Sequence, residues 1–381
     1  MTRTVLRIIT RLNRGGPLRQ LCALVPGLAA LGWGGPVLSG RVERGESDGS
    51  CDLEAVGGEV LRVRGLQRGF DPSRDPQALK AILAAVRHYR PDVIHTHTAK
   101  AGALGRVAAR IAGVPVIHTV HGHHLESVAY KALGARWSER LLGRVTDAVI
   151  ALSPRQARDL VEVHRVIPAA RVRVISPGMD LVGFRRRAAV GPAVDLRAPP
   201  EVVRFVWAGR FVSVKDPRLL VEAVAHAQVP FHITMLGRGP LLDSVRATIR
   251  AHGLEDRIAC PGSVRDVAPW LQAADALVLC SRSEGTPLCV IEAMALGKPV
   301  VVTTVGGLPD MVTHEGTGLW VPPRAPLALA AALDRLASEA ELRLRLGRAG
   351  RAAVDERFGA DRLARQTAAL YEDVLDRRGT D

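Results

Sequence analysis

The chain is 381 residues long, with 47% apolar and 24% charged residues and a formal net charge of +14. This length is too great for one ordinary hydrophobic core, and the composition is that of a soluble globular protein, so we expect two domains. No run of about 18 uninterrupted apolar residues occurs, and arginines interrupt the first apolar stretch, so the sequence predicts neither a membrane-spanning helix nor a secretory signal.

The first half of the chain alternates short apolar runs with stretches of helical period. The apolar runs, which we interpret as buried strands, are 4–9, 36–39, 60–63, 93–96, 116–120, 148–152 and 172–175. The predicted helices between them are 18–31, 76–89, 101–112, 131–144 and 154–163. Strands that alternate with helices favour a parallel sheet covered on both faces.

The same alternation starts again after a connector rich in proline, alanine and arginine. Its strands are predicted at 203–208, 231–236, 258–260, 277–280, 300–303 and 319–321, and its helices at 217–227, 241–252, 267–272, 287–296 and 327–338. The fold class is therefore α/β, with two doubly wound, Rossmann-like domains at 1–180 and 201–359 and a linker at 181–200. Such sheets bind ligands at the carboxyl ends of their strands, so we expect one cleft between the domains.

Basic residues are concentrated in the N-terminal half. Residues 1–180 carry 26 basic and 15 acidic side chains, a balance of +11, against 26 and 23, or +3, in the remainder. Aromatic residues are scarce at 4%, which argues against a nucleic-acid partner and favours an anionic membrane surface or a phosphorylated acceptor; compositional arginine bias is the alternative. Five cysteines without Cys-x-x-Cys spacing predict reduced thiols and a cytoplasmic protein, peripheral on the inner face of a membrane if the basic half binds lipid.

The segment 281–299 predicts an anion site between two carboxylates. Pro287 marks the start of a short helix and Gly297 its end. The first amides of a helix have no partner within it and lie at the positive end of its dipole. Glu284 precedes these amides and Glu292 follows them by one to two turns, and carboxylates accept hydrogen bonds from hydroxyls. A ligand with phosphates in the middle and a hydroxylated ring at each end, a nucleotide sugar, suits this arrangement.

The Glu-x7-Glu pattern from Glu284 to Glu292, with Gly-x-Pro inside it and Ala-Met-Ala-x-Gly-Lys-Pro-Val after it, resembles the donor-binding motif of glycosyltransferase family 4, retaining enzymes with the GT-B fold. The resemblance implies that Glu284 binds sugar hydroxyls and Glu292 the ribose. It also implies that a last helix, 360–381, crosses back to the first domain. The donor contacts expected at the start of the motif's helix are Thr286, Pro287 and Leu288.

Glycine-rich turns supply the other candidate donor contacts. Gly15 and Gly16 resemble the family's N-terminal glycine loop, which touches the donor's phosphate and sugar; a plain turn is the alternative, and no Gly-x-Gly-x-x-Gly fingerprint occurs. Gly209, Arg210 and Lys215 resemble the family's Gly-Arg and Lys pair, whose two cations, five positions apart, suit a diphosphate. Contacts to the base and ribose through backbone groups, or simple turns, are predicted at Gly237, Arg238 and Val264.

Half of the twelve histidines fall between residues 95 and 124. A metal site is one interpretation, but no cysteine or carboxylate ligand stands at motif spacing, so we favour strand-end histidines. The blocks that begin at His95 and His118 resemble family 4 members that act on polysaccharide or lipid-linked acceptors. That resemblance implies that His121 lies beside the anomeric carbon. The candidate acceptor contacts are His97, Lys100 and His123.

These residues predict a retaining glycosyltransferase that moves a hexose-type sugar from a nucleoside diphosphate, UDP first and GDP second, to a glycan, lipid-linked or small-molecule acceptor. The predicted catalytic residues are His121, Glu284, Arg210 and Lys215. We expect no cofactor and no metal, because protein cations can stabilise the leaving group and no Asp-x-Asp motif occurs. No carboxylate is placed as a nucleophile, which favours front-face attack. The alternatives are a sugar-nucleotide epimerase or phosphorylase of the same fold, a secondary-metabolite glycosyltransferase, or a non-enzymatic membrane or nucleic-acid binder.

Overall fold

The computed structural model describes residues 3–43, 45–67, 69–121, 133–196, 199 and 201–379, without the side chains of 133–136. The chain forms two compact units, one of Met1–Met179 with Gly359–Asp381 and one of Asp180–Phe358. Each unit contains one parallel sheet with helices on its faces. The predicted α/β class is therefore confirmed.

Unit 1 is built on a sheet of order β4-β3-β1-β5-β6-β7-β8, with β2 paired to β1. Its strands are β1 (Arg3–Arg11), β2 (Trp33–Gly34), β3 (Val37–Gly40), β4 (Val60–Arg62), β5 (Val93–His97), β6 (Val116–Thr119), β7 (Ala148–Ala151) and β8 (Val172–Val174). Its helices are α1 (Gly16–Ala30), α2 (Ser50–Glu54), α3 (Asp75–Tyr89), α4 (Ala99–Ala112), α5 (Leu133–Arg144), α6 (Pro154–Arg158) and, at the end of the chain, α15 (Ala360–Gly379).

Two apolar layers cover the sheet of unit 1. Successive residues of a strand point to opposite faces, so Val5 and Leu6 of β1 enter different cores. The Val5 side is closed by α1 and α15, where Trp33 packs edge-on against Tyr371 at 4.8 Å between ring centroids. The Leu6 side is closed by α3 and α4. The last helix thus belongs to the first unit.

Unit 2 has a sheet of order β11-β10-β9-β12-β13-β14. Its strands are β9 (Val203–Ala208), β10 (Phe231–Leu236), β11 (Ile258–Gly262), β12 (Ala276–Leu279), β13 (Val300–Thr303) and β14 (Leu319–Val321). Its helices are α7 (Leu181–Val190), α8 (Pro217–His226), α9 (Leu242–Ala251), α10 (Ala268–Ala273), α11 (Leu288–Ala295), α12 (Leu308–Met311), α13 (Pro326–Ser338) and α14 (Ala340–Arg357).

The predicted linker at 181–200 is wrong in its first half, where the structure has helix α7. The Asp180 carboxylate accepts a hydrogen bond from the Gly183 amide at 2.8 Å and so caps this helix. Leu181 and Phe184 are buried. The helix lies within unit 2, where it contacts α10 and α11. This helix was not predicted because three consecutive arginines interrupt its apolar pattern.

Each sheet reverses its strand order at one place, which is where open α/β sheets form ligand sites. In unit 1 the reversal lies between β1 and β5, and in unit 2 between β9 and β12. The loops that leave these strands therefore start side by side. In the part of the chain that the structure describes, no helix has both the length and the hydropathy to cross a bilayer.

Candidate active site

The loops that follow β9 and β12 meet at the reversal point of unit 2. The Lys215 ammonium group, on the first loop, forms an ion pair with Oε1 of Glu284 on the second. The Ser281 hydroxyl donates a hydrogen bond to the same carboxylate oxygen. The lysine and glutamate side chains are 18% and 10% exposed, so the pair is largely shielded from water but open on one side. Two of the predicted catalytic residues are therefore in direct contact.

A second ion pair fixes the loop that carries Lys215. Asp216 has a left-handed backbone conformation, φ +47°, which is costly for any residue other than glycine. Its carboxylate receives two hydrogen bonds from the Arg282 guanidinium, at 2.6 and 2.9 Å. The Arg282 amide also donates to the Val214 carbonyl at 2.8 Å. These contacts tie the two loops together and orient the lysine towards Glu284.

The charge of the Lys215 amine is maintained by its neighbours. Burial works against the charged form, but the Glu284 carboxylate, with a contribution from Cys289, outweighs it and raises the pKa of Lys215 above its ordinary value. The amine is therefore positively charged at neutral pH. A cation in this position can bind an anionic ligand.

The start of α11 follows Glu284 closely in the chain. The helix begins at Leu288, one residue later than predicted. Pro287 is therefore its N-cap and not its first residue. No side chain caps the helix, and the Val290 amide donates to the Pro287 carbonyl at 3.2 Å, so the positive end of the helix dipole is not covered by a side chain of its own. The Thr286 hydroxyl is buried and makes no hydrogen bond within the described chain. Both features indicate a polar ligand at this helix end.

The three glycine-rich turns of unit 2 are held together by backbone contacts. Gly237 has φ +139°, and a Cβ atom there would lie 1.8 Å from the Gly209 carbonyl oxygen. A Cβ on Gly209 would itself lie 3.6 Å from Lys215 Cδ. Glycine is therefore required for the close approach at Gly237. Beside these turns, Arg210 and Arg238 are exposed and Val264 is half-buried.

Glu292 differs from the expectation of an open ribose contact. It lies in the second turn of α11 and is only 3% exposed. The helix that carries it packs against α7 and α14. A hydroxyl can reach this carboxylate only through the small part left uncovered, and its role with ribose stays a prediction.

Unit 1 has its own helix start at its reversal point. Gly15 is the N-cap of α1, and no side chain caps this helix. Nothing lies within 4 Å of the position where a Cβ of Gly16 would be. The first turn of α1 is thus open for a close ligand. Contact of Gly15 and Gly16 with a donor stays a prediction.

A chain of polar contacts runs through the core of unit 1 to His121. His97 is fully buried, and its Nδ1 shares a hydrogen bond with Nε2 of His121 at 2.9 Å. His95 stacks on His97 at 4.2 Å between centroids and shares hydrogen bonds with Tyr371 and Thr119, at 2.6 and 2.7 Å. Burial holds the pKa of His95 and of His97 well below the ordinary value of 6.5. Both imidazoles are therefore neutral, and they support the ring of His121 from inside.

The other two acceptor candidates are Lys100 and His123. Lys100 is 4% exposed and forms an ion pair with Asp75 at 2.5 Å, so it is a buried structural cation rather than an open acceptor contact. Lys100 lies in the first turn of α4. The sequence placed this lysine after a strand but did not show that Asp75 of α3 lies opposite it. His123 lies outside the described residues. Within the described ranges, no group of three or more histidine, cysteine, aspartate or glutamate side chains is arranged to bind a metal.

Sequence reasoning missed the residues that hold the site in place. Arg282 and Ser281 lie in the segment 281–299 and Asp216 directly follows Lys215, but none of the three was given a role. Tyr371 lies about 250 residues beyond His121, on the helix that was expected to cross back to the first domain but for which no residue was given a role. The signal that could have found Asp216 is an acidic residue directly before a helical proline, which is typical of a helix start.

Two family models match the chain. The model for glycosyl transferases group 1 matches residues 203–339, and the model for a glycosyl transferase 4-like domain matches residues 15–178. A D-inositol 3-phosphate glycosyltransferase of Streptomyces bingchenggensis is 32% identical over 77% of this chain and 70% of that protein. A UDP-Gal:alpha-D-GlcNAc-diphosphoundecaprenol alpha-1,3-galactosyltransferase of Escherichia coli is 30% identical over 67% of this chain and 69% of that protein.

Solved structures share the fold over nearly the whole chain. A sucrose-phosphate synthase of Thermosynechococcus elongatus has a TM-score of 0.80 at 24% identity, covering 98% of this chain and 100% of that one. Anabaena HepE in complex with UDP has a TM-score of 0.78 at 20% identity, covering 97% and 100%. The two parallel-sheet units are thus those of the GT-B fold. With both family models matched in order, the chain belongs to the group 1, family 4 glycosyltransferases and is an enzyme of that class.

Proposed function

We propose that this chain transfers a sugar from a UDP-sugar to a lipid-linked or glycan acceptor. The observation that carries the proposal is the meeting of Lys215, Glu284 and the uncapped start of α11 at the reversal point of unit 2. A charged amine and the positive end of a helix suit a diphosphate, and a carboxylate beside them suits sugar hydroxyls. The Escherichia coli relative, whose name gives a UDP-sugar and a diphosphate-linked lipid, supports this choice of donor and acceptor.

The leaving diphosphate is stabilised by groups of this chain. Lys215 acts as a point charge, Arg210 is exposed on the same loop, and the start of α11 contributes the positive end of its dipole. Negative charge develops on the diphosphate as the glycosidic bond breaks, and such fixed positive groups lower the barrier. We propose that transfer therefore proceeds without a divalent metal.

The sugar keeps its configuration through attack from the side of the leaving group. The bond from the anomeric carbon to the diphosphate oxygen breaks, the bond to the acceptor oxygen forms, and the acceptor proton passes to the departing phosphate oxygen. Glu284 holds the sugar hydroxyls, and the role of His121 beside the anomeric carbon stays a prediction. Support for this route comes from the two motif carboxylates, since our proposal uses Glu284 for the sugar hydroxyls and Glu292 is only 3% exposed, which leaves neither for nucleophilic attack.

A panel of nucleotide sugars tests the donor. We expect UDP-hexoses to bind and to be slowly hydrolysed, with UDP release that continues in EDTA. Lys215→Ala should weaken UDP binding about tenfold or more, because a charge-assisted contact is lost. Lys298→Ala is the matched control, since that lysine donates to the Gln272 carbonyl at the other end of α11. If no nucleotide sugar binds, the proposed function is wrong.

A second acceptor class is a small phosphorylated molecule. It is favoured by the relatives named as D-inositol 3-phosphate glycosyltransferases. Transfer assays with inositol phosphates and with diphosphate-linked lipids separate the two classes, and nuclear magnetic resonance of the product gives the anomeric configuration. An altered UDP-sugar without any transfer product would instead indicate an epimerase.

A further inference from the structure

One surface of unit 1 is apolar although it faces solvent. Val107 and Ile111 of α4 are 37% and 61% exposed, and Trp137 and Leu141 of α5 are 62% and 47% exposed. In each helix the two residues are four apart and so lie on the same side. We call these four residues the α4–α5 face. The other four tryptophans of the chain are buried or half-buried.

The opposite sides of both helices are already packed. Arg106 of α4 and Glu139 of α5 are buried and joined by two hydrogen bonds, at 2.9 and 3.1 Å, which hold the helices side by side. The helices connect β5 to β6 and β6 to β7, which are consecutive neighbours in the sheet. Right-handed crossovers in one direction place both helices in one layer. Their outer sides therefore form a single surface.

The charge of this surface is positive. Helix α4 contains no acidic residue, and the single acidic residue of α5 is Glu139, which is buried against Arg106. Three exposed arginines lie on or beside the α4–α5 face: Arg110, Arg140 and Arg144. Apolar side chains and arginines are therefore mixed on the face without an exposed carboxylate of either helix among them.

We infer that the α4–α5 face binds the surface of an anionic lipid bilayer. Arginines attract anionic headgroups, while tryptophan and aliphatic side chains enter the boundary between headgroups and hydrocarbon. A nucleic acid would use the arginines and leave the apolar side chains without a partner. The inference rests on the proposed function, because an enzyme that glycosylates a lipid-linked acceptor must meet that lipid at a membrane.

Vesicle sedimentation of the full chain tests this inference. We expect the protein to sediment with vesicles of phosphatidylglycerol and phosphatidylcholine, to bind pure phosphatidylcholine more weakly, and to be released by salt. The double variant Leu141→Ser with Arg144→Glu should lower the partition coefficient about tenfold or more. Tryptophan fluorescence should shift to shorter wavelength on binding, and Trp137→Phe should remove most of that shift.

The matched control is Leu344→Ser with Arg348→Glu, an exposed pair on α14 of unit 2 that undergoes the same chemical changes. It should sediment like the wild type. Equal losses in both double variants, or no sedimentation of the wild type, would overturn the inference, as would retained vesicle binding in the α5 variant. A self-association or RNA binding that the α5 variant abolishes, without vesicle binding, would assign the face to another partner. UDP binding is measured on the same samples, so a failed donor assay is distinguished from a failed membrane assay.

Discussion

At the scale of single residues, the ammonium group of Lys215 already has a partner. It is paired with Glu284. In our proposal, however, Lys215 binds the diphosphate of the donor and Glu284 binds its sugar. A diphosphate would compete with the carboxylate for the lysine. Donor binding then releases Glu284 to accept hydrogen bonds from the sugar, so that the carboxylate becomes available only when phosphate is present.

Glu284→Gln should separate binding from turnover. We expect transfer to fall about 100-fold, because the amide is a poorer acceptor for sugar hydroxyls in the transition state. UDP, which has no sugar, should bind more tightly than to the wild type, because the lysine has lost its competing partner. Calorimetric titration and initial rates measure the two effects. Glu255→Gln, at an exposed position of the same unit, should change neither. Weaker UDP binding in Glu284→Gln would contradict the exchange of partners.

Asp216 combines a paired carboxylate with a left-handed backbone. Asp216→Gly and Asp216→Ala both remove the pair with Arg282, but only glycine relieves the backbone strain. We expect the glycine variant to be more stable than the alanine variant by about 1 kcal/mol in urea unfolding. At Asp243, in the first turn of α9 and 98% exposed, the order should reverse, because glycine is the poorer helix former. The same order at both positions would contradict this account.

At the scale of elements, α15 returns to unit 1 and is held by a polar contact within an apolar layer. Tyr371 is fully buried, packs on Trp33, and shares a hydrogen bond with His95. The guanidinium of Arg7, also buried, donates to the Gly35 carbonyl at 3.0 Å, and burial lowers its pKa while Tyr371 opposes that shift. The end of the chain is therefore part of the support beneath His97 and His121.

Tyr371→Phe should destabilise unit 1 by about 1–3 kcal/mol, because the buried Nδ1 of His95 loses its partner. Tyr89→Phe is the matched control, since its hydroxyl bonds Glu59 at the surface, and it should lie within about 0.5 kcal/mol of the wild type. Chemical unfolding measures both. We also expect Tyr371→Phe to change the KM for the acceptor, while the dissociation constant for UDP stays the same. Equal effects of the two variants would refute the supporting role of α15.

At the scale of the whole molecule, two cores in one chain predict two thermal transitions. In our proposal UDP binds unit 2, so it should raise the midpoint temperature of that unit's transition only. The free energy of unfolding should increase by about 2.7 kcal/mol at a UDP concentration of 100 times the dissociation constant. Scanning calorimetry with and without UDP assigns the transitions. Lys215→Ala should remove the shift, and Lys298→Ala should keep it. A shift of the other transition would place the nucleotide elsewhere.

The transition of unit 1 should respond to acid. His95 and His97 have a lowered pKa in the folded chain, so below pH 6.5 the unfolded chain binds protons that the folded chain does not. Stability is therefore full above about pH 7.5 and is lost as the pH falls, by about 3 kcal/mol at pH 5.5 for two histidines. His97→Gln should show a smaller loss between pH 7.5 and 5.5. An unchanged pH dependence would contradict the buried neutral state.

The strands of both sheets were predictable because buried parallel strands are continuous apolar runs. The predicted strand 203–208 matches β9, and 231–236 matches β10. Helix α7 was not predictable, because its pattern is interrupted by arginines and its stability comes from contacts with α10 and α11. The expected last helix, 360–381, is α15 of unit 1, and it directly follows α14 of unit 2.

By itself, the sequence determined the kind of chemistry. Local patterns sufficed, since a helix start, a pair of cations and two glutamates each lie within a few residues of one another. Tertiary structure decided which of these groups touch. It paired Lys215 with Glu284, buried Lys100 against Asp75, and nearly covered Glu292. The physical reason is that burial and ion pairing depend on segments far apart in the chain, whose distances only the packing of helices on the sheets sets.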